Sequence, residues 1–79
     1  MNFENVTNVL VCFSKGKPVC YVFHLHGVHT EENLEFNTPY GDSINYGREI
    51  AMEHKCKLVV LRKDGTIRSV DSFLVVEAN

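Results

Sequence analysis

The residues best suited to chemistry are three of the four histidines, which fall within six positions of one another. His24 and His26 stand two residues apart in "YVFHLHGVHTEE", a spacing that places both on one face of a strand, roughly 6.5–7 Å apart. His29 can join them from a following turn, with Glu31 or Glu32 as a carboxylate ligand. Such a set suits zinc, nickel or copper. The alternative is that the histidines cover the solvent side of a sheet and its turn, and the sequence leaves both interpretations open.

Nothing else in the sequence resembles a catalytic centre. Nucleophilic catalysis needs an activated group beside a base. Cys20 and His24 are four residues apart on one predicted strand, about 13 Å, which is too far for such a pair. The chain has no nucleophile elbow, no phosphate-binding loop and no paired-acid motif. We therefore predict that the protein is not an enzyme and that it needs no cofactor.

The length and composition indicate one small folded domain that spans residues 1–79. The chain is 44% hydrophobic and 23% charged, which is ordinary for a globular protein. A domain of this size buries only about 60% of the surface of its unfolded chain, so its core is thin. The net charge of −2 argues against a dedicated nucleic-acid-binding protein.

A nucleic-acid-binding modulator is nevertheless an alternative, because basic residues concentrate near the C-terminal hairpin. Base stacking would need aromatic side chains on the same ribbon, and Tyr40 and Tyr46 fall on the predicted helix instead. We therefore expect a protein partner rather than a nucleic acid. The residues of this alternative are Lys55, Lys57, Arg62, Lys63 and Arg68.

Three cysteines without a C-x-x-C spacing suit a reducing compartment. If the turn "SKGKP" is centred near Gly16, Cys12 and Cys20 fall opposite each other on paired strands and can form a disulfide. We expect both instead to be buried free thiols, because a free cysteine behaves as a small hydrophobic residue. The N-terminal residues show no signal-peptide pattern, and no stretch reaches the roughly 20 apolar residues of a membrane helix. These features predict a cytoplasmic protein with no membrane partner.

Alternating residues predict two strands before a helix. Residues 9–13 form the first strand, and "SKGKP" is a turn. On the second strand, Val19, Tyr21, Phe23 and Leu25 share one face, and Cys20, Val22, His24 and His26 share the other, which we interpret as the polar face. Gly27 begins a break, and Leu34 to Phe36 form a short third strand.

One helix and a hairpin complete the predicted fold. Thr38 can cap a helix that has Pro39 at its first position, with Asp42 or Ser43 as a later alternative cap, and Gly47 lets the helix lie close to a sheet. Leu58 to Leu61 form a strand, and Asp64-Gly65 is typical of a type I′ turn, which needs positive φ at both central residues. The order β-β-(β)-α-β-β predicts an α+β fold: a small antiparallel sheet with one helix packed across it.

The segment from about Phe36 to Phe73 resembles a family of very small bacterial and phage proteins known as domain of unknown function 2188. The resemblance depends on "INYGREIAMEH" followed by "KLVVLRKDGTIRSVDSF". It supports the fold and implies no activity. The sequence departs from the family where Tyr21 or Phe23 stands in place of a tryptophan, and where Ser43 and Gly47 replace helix alanines. The matching residues are Arg48, Ile50, Ala51, Leu58, Val60, Asp64, Gly65, Ile67, Asp71 and Ser72.

The leading hypothesis is a small non-enzymatic module that binds another protein. A regulator or a phage-encoded inhibitor of a host protein fits this description. The acidic stretch with Glu31, Glu32 and Glu35 is the predicted contact surface, aimed at a basic partner. A homodimer through an edge strand is also expected, because edge strands offer unpaired backbone groups. The metal-binding or sensing domain and the nucleic-acid-binding modulator are the alternatives.

Overall fold

The computed structural model describes residues 3–32, 34 and 36–74, which form five strands and one helix. The strands build one sheet in the order β3-β2-β1-β4-β5, and the helix packs on β1, β2 and β4. The α+β class and the order of elements are confirmed. The elements are β1 (Asn8–Ser14), β2 (Lys17–His24), β3 (Gly27–Glu31), α1 (Pro39–His54), β4 (Lys57–Leu61) and β5 (Ile67–Ser72).

The sheet is mixed, whereas the sequence predicted an antiparallel one. Strand β1 pairs with β4 in parallel, and every other neighbouring pair is antiparallel. Two hairpins make β3 run in the same direction as β1. The α1 crossover then returns the chain to the end of the sheet where β3 begins, so β4 runs parallel to β1. The predicted order β-β-(β)-α-β-β left the third strand open, and only without that strand would β4 run antiparallel to β1.

The third strand is Gly27–Glu31, and the prediction of a strand from Leu34 to Phe36 was wrong. Glu35 lies outside the described residues, and Leu34 and Phe36 belong to no strand. Gly27 starts β3 opposite His24, with a φ of 126°, instead of breaking the chain. The prediction missed β3 because a glycine and two charged or titratable residues obscure the β-branched Val28 and Thr30.

The two hairpin turns that the sequence predicts differ in the structure from the prediction. The positive φ values that a type I′ turn requires occur at Lys15 (52°) and Gly16 (77°), between the paired residues Ser14 and Lys17. In the β4–β5 hairpin only Gly65 has a positive φ, of 87°. Asp64 accepts hydrogen bonds there from the backbone and the hydroxyl of Thr66, at 3.0 and 2.6 Å, so its carboxylate stabilises a longer loop.

The helix begins and ends near the predicted residues. The Thr38 hydroxyl accepts a hydrogen bond from the backbone N–H of Gly41 at 3.2 Å, which confirms the N-cap. The buried carboxylate of Asp42 accepts from the backbone N–H groups of Phe36 and Asn37, the latter at 2.7 Å, and ties the preceding loop to the first turn. Lys55 ends the helix in the left-handed conformation.

The core lies between the helix and one face of the sheet. Cys20 and Val22 of β2 belong to this core, so the face that the sequence interpretation took as polar is the buried one. The prediction failed because β1 and β2 carry apolar residues on both faces, and alternation then does not tell which face the helix covers. The sheet residues buried under the helix are Val9, Val11, Cys20, Val22, Leu58 and Val60.

Candidate interaction surface

The histidines occupy the β2–β3 hairpin and hold the N-terminal segment against it. The Phe3 ring contacts the rings of His24 and His29, with centroids 5.3 and 5.2 Å away. Glu4 is paired with His26, with 3.3 Å between Nε2 and Oε2, and its carbonyl accepts from the backbone N–H of Leu25 at 2.9 Å. In this arrangement His24 and His29 pack against Phe3, and His26 pairs with Glu4.

The structure distributes the predicted metal ligands over separate contacts. His24 ends β2, His26 lies in the turn, and their ring centroids are 6.3 Å apart. His29 on β3 is paired with Glu31, with 2.9 Å between Nε2 and Oε2. Among the residues that the structure describes, no group of three or more His, Cys, Asp or Glu side chains could hold a metal ion. The metal hypothesis stays a prediction of the sequence.

The predicted acidic contact surface does not form one patch in the described part of the chain. Glu31 is the last residue of β3, is half-buried and is paired with His29. It lies opposite the core residue Cys20, and therefore on the helix side of the sheet. Glu32 follows it and is exposed. Glu35 lies outside the described residues. The predicted role of these three residues in binding stays untested.

The basic residues of the nucleic-acid alternative separate into two groups at opposite ends of β4. Lys55 and Lys57 stand at its start. Arg62 follows its end and donates to the Ile67 carbonyl at 2.6 Å, which ties it to the hairpin. The guanidinium of Arg68 lies 5.2 Å from the Tyr40 ring centroid, so the Arg68 side chain makes a cation–π contact with the helix. Lys63 is exposed in the loop.

The three cysteines are free, and Cys12 does not face Cys20. Cys12 pairs with Val19 and Cys20 pairs with Val11, so the two thiols lie on opposite faces of the sheet. The conditional cross-strand pair does not form because the turn is centred between Lys15 and Gly16, half a residue from the position it requires, and the free thiols that the sequence favoured are present. A disulfide between these two residues would require a different register.

Burial raises the pKa of all three thiols, most strongly for Cys20. Desolvation, with smaller effects from Glu31 and Cys12, raises the pKa of Cys20 from 9.0 to about 12. Burial also raises the pKa values of Cys12 and Cys56. The neutral Cys20 thiol therefore contributes stability that is fully present below pH 9.0 and is lost as the pH rises toward 12.

We expect that a thiol reagent such as 5,5′-dithiobis(2-nitrobenzoate) labels one cysteine quickly in dilute native protein at pH 8. That cysteine is Cys12, because it is half-buried while Cys20 and Cys56 are buried. Stopped-flow absorbance should show one fast thiol, which a Cys12→Ser variant removes, and two more thiols only after unfolding. Three equally fast thiols in the native protein would contradict the packing described above.

The face of the sheet opposite the helix carries rows of apolar side chains. Cross-strand pairing places Tyr21, Leu10, Val59 and Val70 in one row across four strands. Val19 with Cys12 and Leu61 with Ile67 form the next row, and Phe23 with Val28 a third. We call these ten residues the open face. Val28, Ile67 and Val70 are exposed by 52%, 59% and 50%, and the others, apart from the buried Val19, are half-buried.

The helix and two aromatic side chains from outside the sheet pack on its other side. Helix α1 packs on the core face, and the side chains of Phe3 and Phe73 pack against the same core. None of these ten residues is charged. The polar residues on the same side of the sheet stand around them: Asn8, Lys57 and Ser72 in the row of Phe23 and Val28, Thr30 beside Tyr21 on the edge strand, and Ser14 with Lys17 at the other end. This surface is apolar in its middle and polar at its rim.

Sequence reasoning did not identify the open face as a surface. The signal was present in "NVLVCF" and "PVCYVF", where apolar residues follow one another without alternation. Such runs indicate strands that are covered on both faces. The chain has one helix among its described residues, and that helix covers one face, so the second apolar face needs another explanation.

Comparisons of the chain with family models, with curated proteins and with solved structures give no match. The resemblance of residues 36–73 to the small bacterial and phage family therefore stays a prediction. No helix among the described residues is long and apolar enough to cross a membrane.

Proposed function

We propose that this chain is a non-enzymatic protein-binding module that binds through the open face. The observation that carries the proposal is the pairing of Tyr21, Leu10, Val59 and Val70 into an apolar row on the side of the sheet away from the helix. Exposed apolar surface with a polar rim is typical of protein-interaction sites.

The chemistry of the open face favours a protein over the other classes of ligand. A nucleic-acid surface needs cations along the phosphate path, whereas the row of Tyr21, Leu10, Val59 and Val70 has none and Lys57 stands at one end of the sheet, in the row of Phe23 and Val28. A small-molecule site needs a concave pocket that encloses its ligand, whereas five paired strands present a broad surface. A small module of this kind suits a regulator or an inhibitor that covers a surface of its target.

Two pairs of lysine substitutions test the proposal. Val28→Lys with Val70→Lys places charge on the open face, at edge strands where lysine is well tolerated. Leu25→Lys with Met52→Lys is the matched control, because these side chains are 58% and 55% exposed but lie in the β2–β3 turn and on the helix. Both pairs remove two apolar side chains of similar exposure and add the same charge.

We expect the tagged parent chain and the control variant to bind the same partner, and the open-face variant to lose it. The measurement is quantitative mass spectrometry of proteins retained from a cell lysate, followed by titration of the purified partner. We expect the open-face pair to weaken binding at least tenfold, about 1.4 kcal/mol, because two charges would enter an apolar contact. Equal loss in both variants, or in neither, would contradict the proposed surface.

A further inference from the structure

We infer that a second copy of this chain occupies the open face, so that two sheets pack face to face in a dimer with a helix on each outer side. This inference rests on the proposed function, because it names the partner of the same surface. It differs from the edge-strand homodimer that the sequence predicts. In an edge-strand dimer the open faces would stay uncovered.

The width of the open face favours a sheet as its occupant. Four strand spacings of about 4.8 Å separate β3 from β5, so the axes of the outer strands lie roughly 19 Å apart. A single helix, with a diameter of about 10–12 Å, covers about half of that width. The apolar row from Tyr21 to Val70 crosses four strands, and a second sheet covers all four at once. This chain itself carries such a sheet.

The area of the open face matches the lower limit for a specific dimer. Five strands of about 20 Å in length, spaced by about 4.8 Å, present on the order of 500 Å² on one face. Two stacked faces would then bury on the order of 1,000 Å², the lower bound for a specific interface. We therefore expect a dimer that dissociates on dilution.

The distribution of charge also permits two copies to meet. The middle rows are uncharged, and Lys57 stands at the rim in the row with Asn8 and Ser72. A two-fold axis that lies across the strands places the Lys57 end of one sheet over the opposite end of the other. The two Lys57 ammonium groups then stay apart and the apolar rows cover each other, but the opposite end carries the exposed Lys17 and Lys63, so the charges alone do not favour this arrangement.

Sedimentation velocity over a concentration series tests the dimer directly. We expect the parent chain to shift from monomer to dimer as its concentration rises, and the Leu25→Lys/Met52→Lys control to behave in the same way. The Val28→Lys/Val70→Lys variant should need at least a hundredfold higher concentration, because the dimer brings four added lysines into the contact. Circular dichroism and urea unfolding show whether each variant keeps its fold. A parent chain that stays monomeric up to about 1 mM would overturn the inference.

The thiol of Cys12 distinguishes the two kinds of dimer. Cys12 lies on the open face and Cys20 and Cys56 are buried, so a face-to-face dimer should slow the fast labelling of Cys12 by at least tenfold at high concentration. An edge-strand dimer would leave that rate unchanged, and this result would overturn the inference. The Val28→Lys/Val70→Lys variant should label at the monomer rate at every concentration.

The proposed function and the dimer can fail separately. A monomeric parent chain that still loses a lysate partner through Val28→Lys/Val70→Lys would contradict the dimer and support the protein-binding surface. A face-to-face dimer without any other partner would support both, with self-association as the protein contact. A monomer that binds no protein through the open face would contradict both.

Discussion

The Leu58→Ala variant should lose about 2–5 kcal/mol of its free energy of unfolding. Leu58 is fully buried on β4, pairs with Val9 of β1 and faces the helix at Gly47. Truncation removes three carbon atoms from the middle of the core and leaves a cavity that its neighbours fill only in part. A domain of this length has a total stability of roughly 4–12 kcal/mol, so the change removes a large share of it.

Urea unfolding followed by circular dichroism measures this loss as a lower midpoint at an unchanged slope. The matched control is Leu25→Ala, which removes the same atoms from a side chain that is 58% exposed. We expect the control to stay within about 0.5 kcal/mol of the parent. Similar losses in the two variants would show that Leu58 is not at the centre of the core.

The sequence predicted the elements that local chemistry defines. Thr38 and Pro39 mark the start of the helix because a hydroxyl cap and a proline suit the first turn, and both occupy those positions. The runs around Val9 and Val60 formed strands as expected. These features depend on neighbours within a few residues, which a single sequence displays.

The predictions that were wrong, the strand direction and the buried face of β2, concern features that depend on contacts between distant segments. The parallel pairing of β1 with β4 requires a third strand before the helix. Gly27 at the start of β3 made that strand difficult to predict from the sequence. The choice of buried face on β2 depends on where the helix lies, because Cys20 and Tyr21 are both apolar enough to be covered. Strand pairing decides the direction of β4, and helix packing decides which face of β2 is buried.

The candidate site likewise has one part that a short stretch of sequence displays and one part that appears only when distant strands pair. Spacing drew attention to His24, His26 and His29, and the structure gives these side chains local partners at the β2–β3 hairpin. The open face became visible only when the pairing of five strands put Tyr21 and Val70 in one row. A row across four strands has no signature within any short stretch of sequence.

The Gly47→Leu variant should lose about 3 kcal/mol or more of its free energy of unfolding, beyond the usual range for overpacking. A Cβ atom at this position would lie 3.1 Å from Cγ1 of Val9, and 3.2 Å from both Sγ of Cys20 and Cδ1 of Leu58. These three atoms belong to side chains that are fully buried in the sheet, so they have little room to move. A leucine would force the helix away from the sheet and open the core around Ile50.

Two other substitutions isolate the cause of that loss. In Gly47→Ala, the gain of about 1 kcal/mol in helix propensity opposes the crowding of one methyl group, so we expect a smaller change than in Gly47→Leu. Asn45→Leu adds the same side chain at an exposed position two residues away, and should stay within about 0.5 kcal/mol of the parent. Urea unfolding of all three decides the question. If Gly47→Leu were as stable as Asn45→Leu, the helix would not lie as close to the sheet as Gly47 allows, and the division between a covered face and an open face would lose its basis.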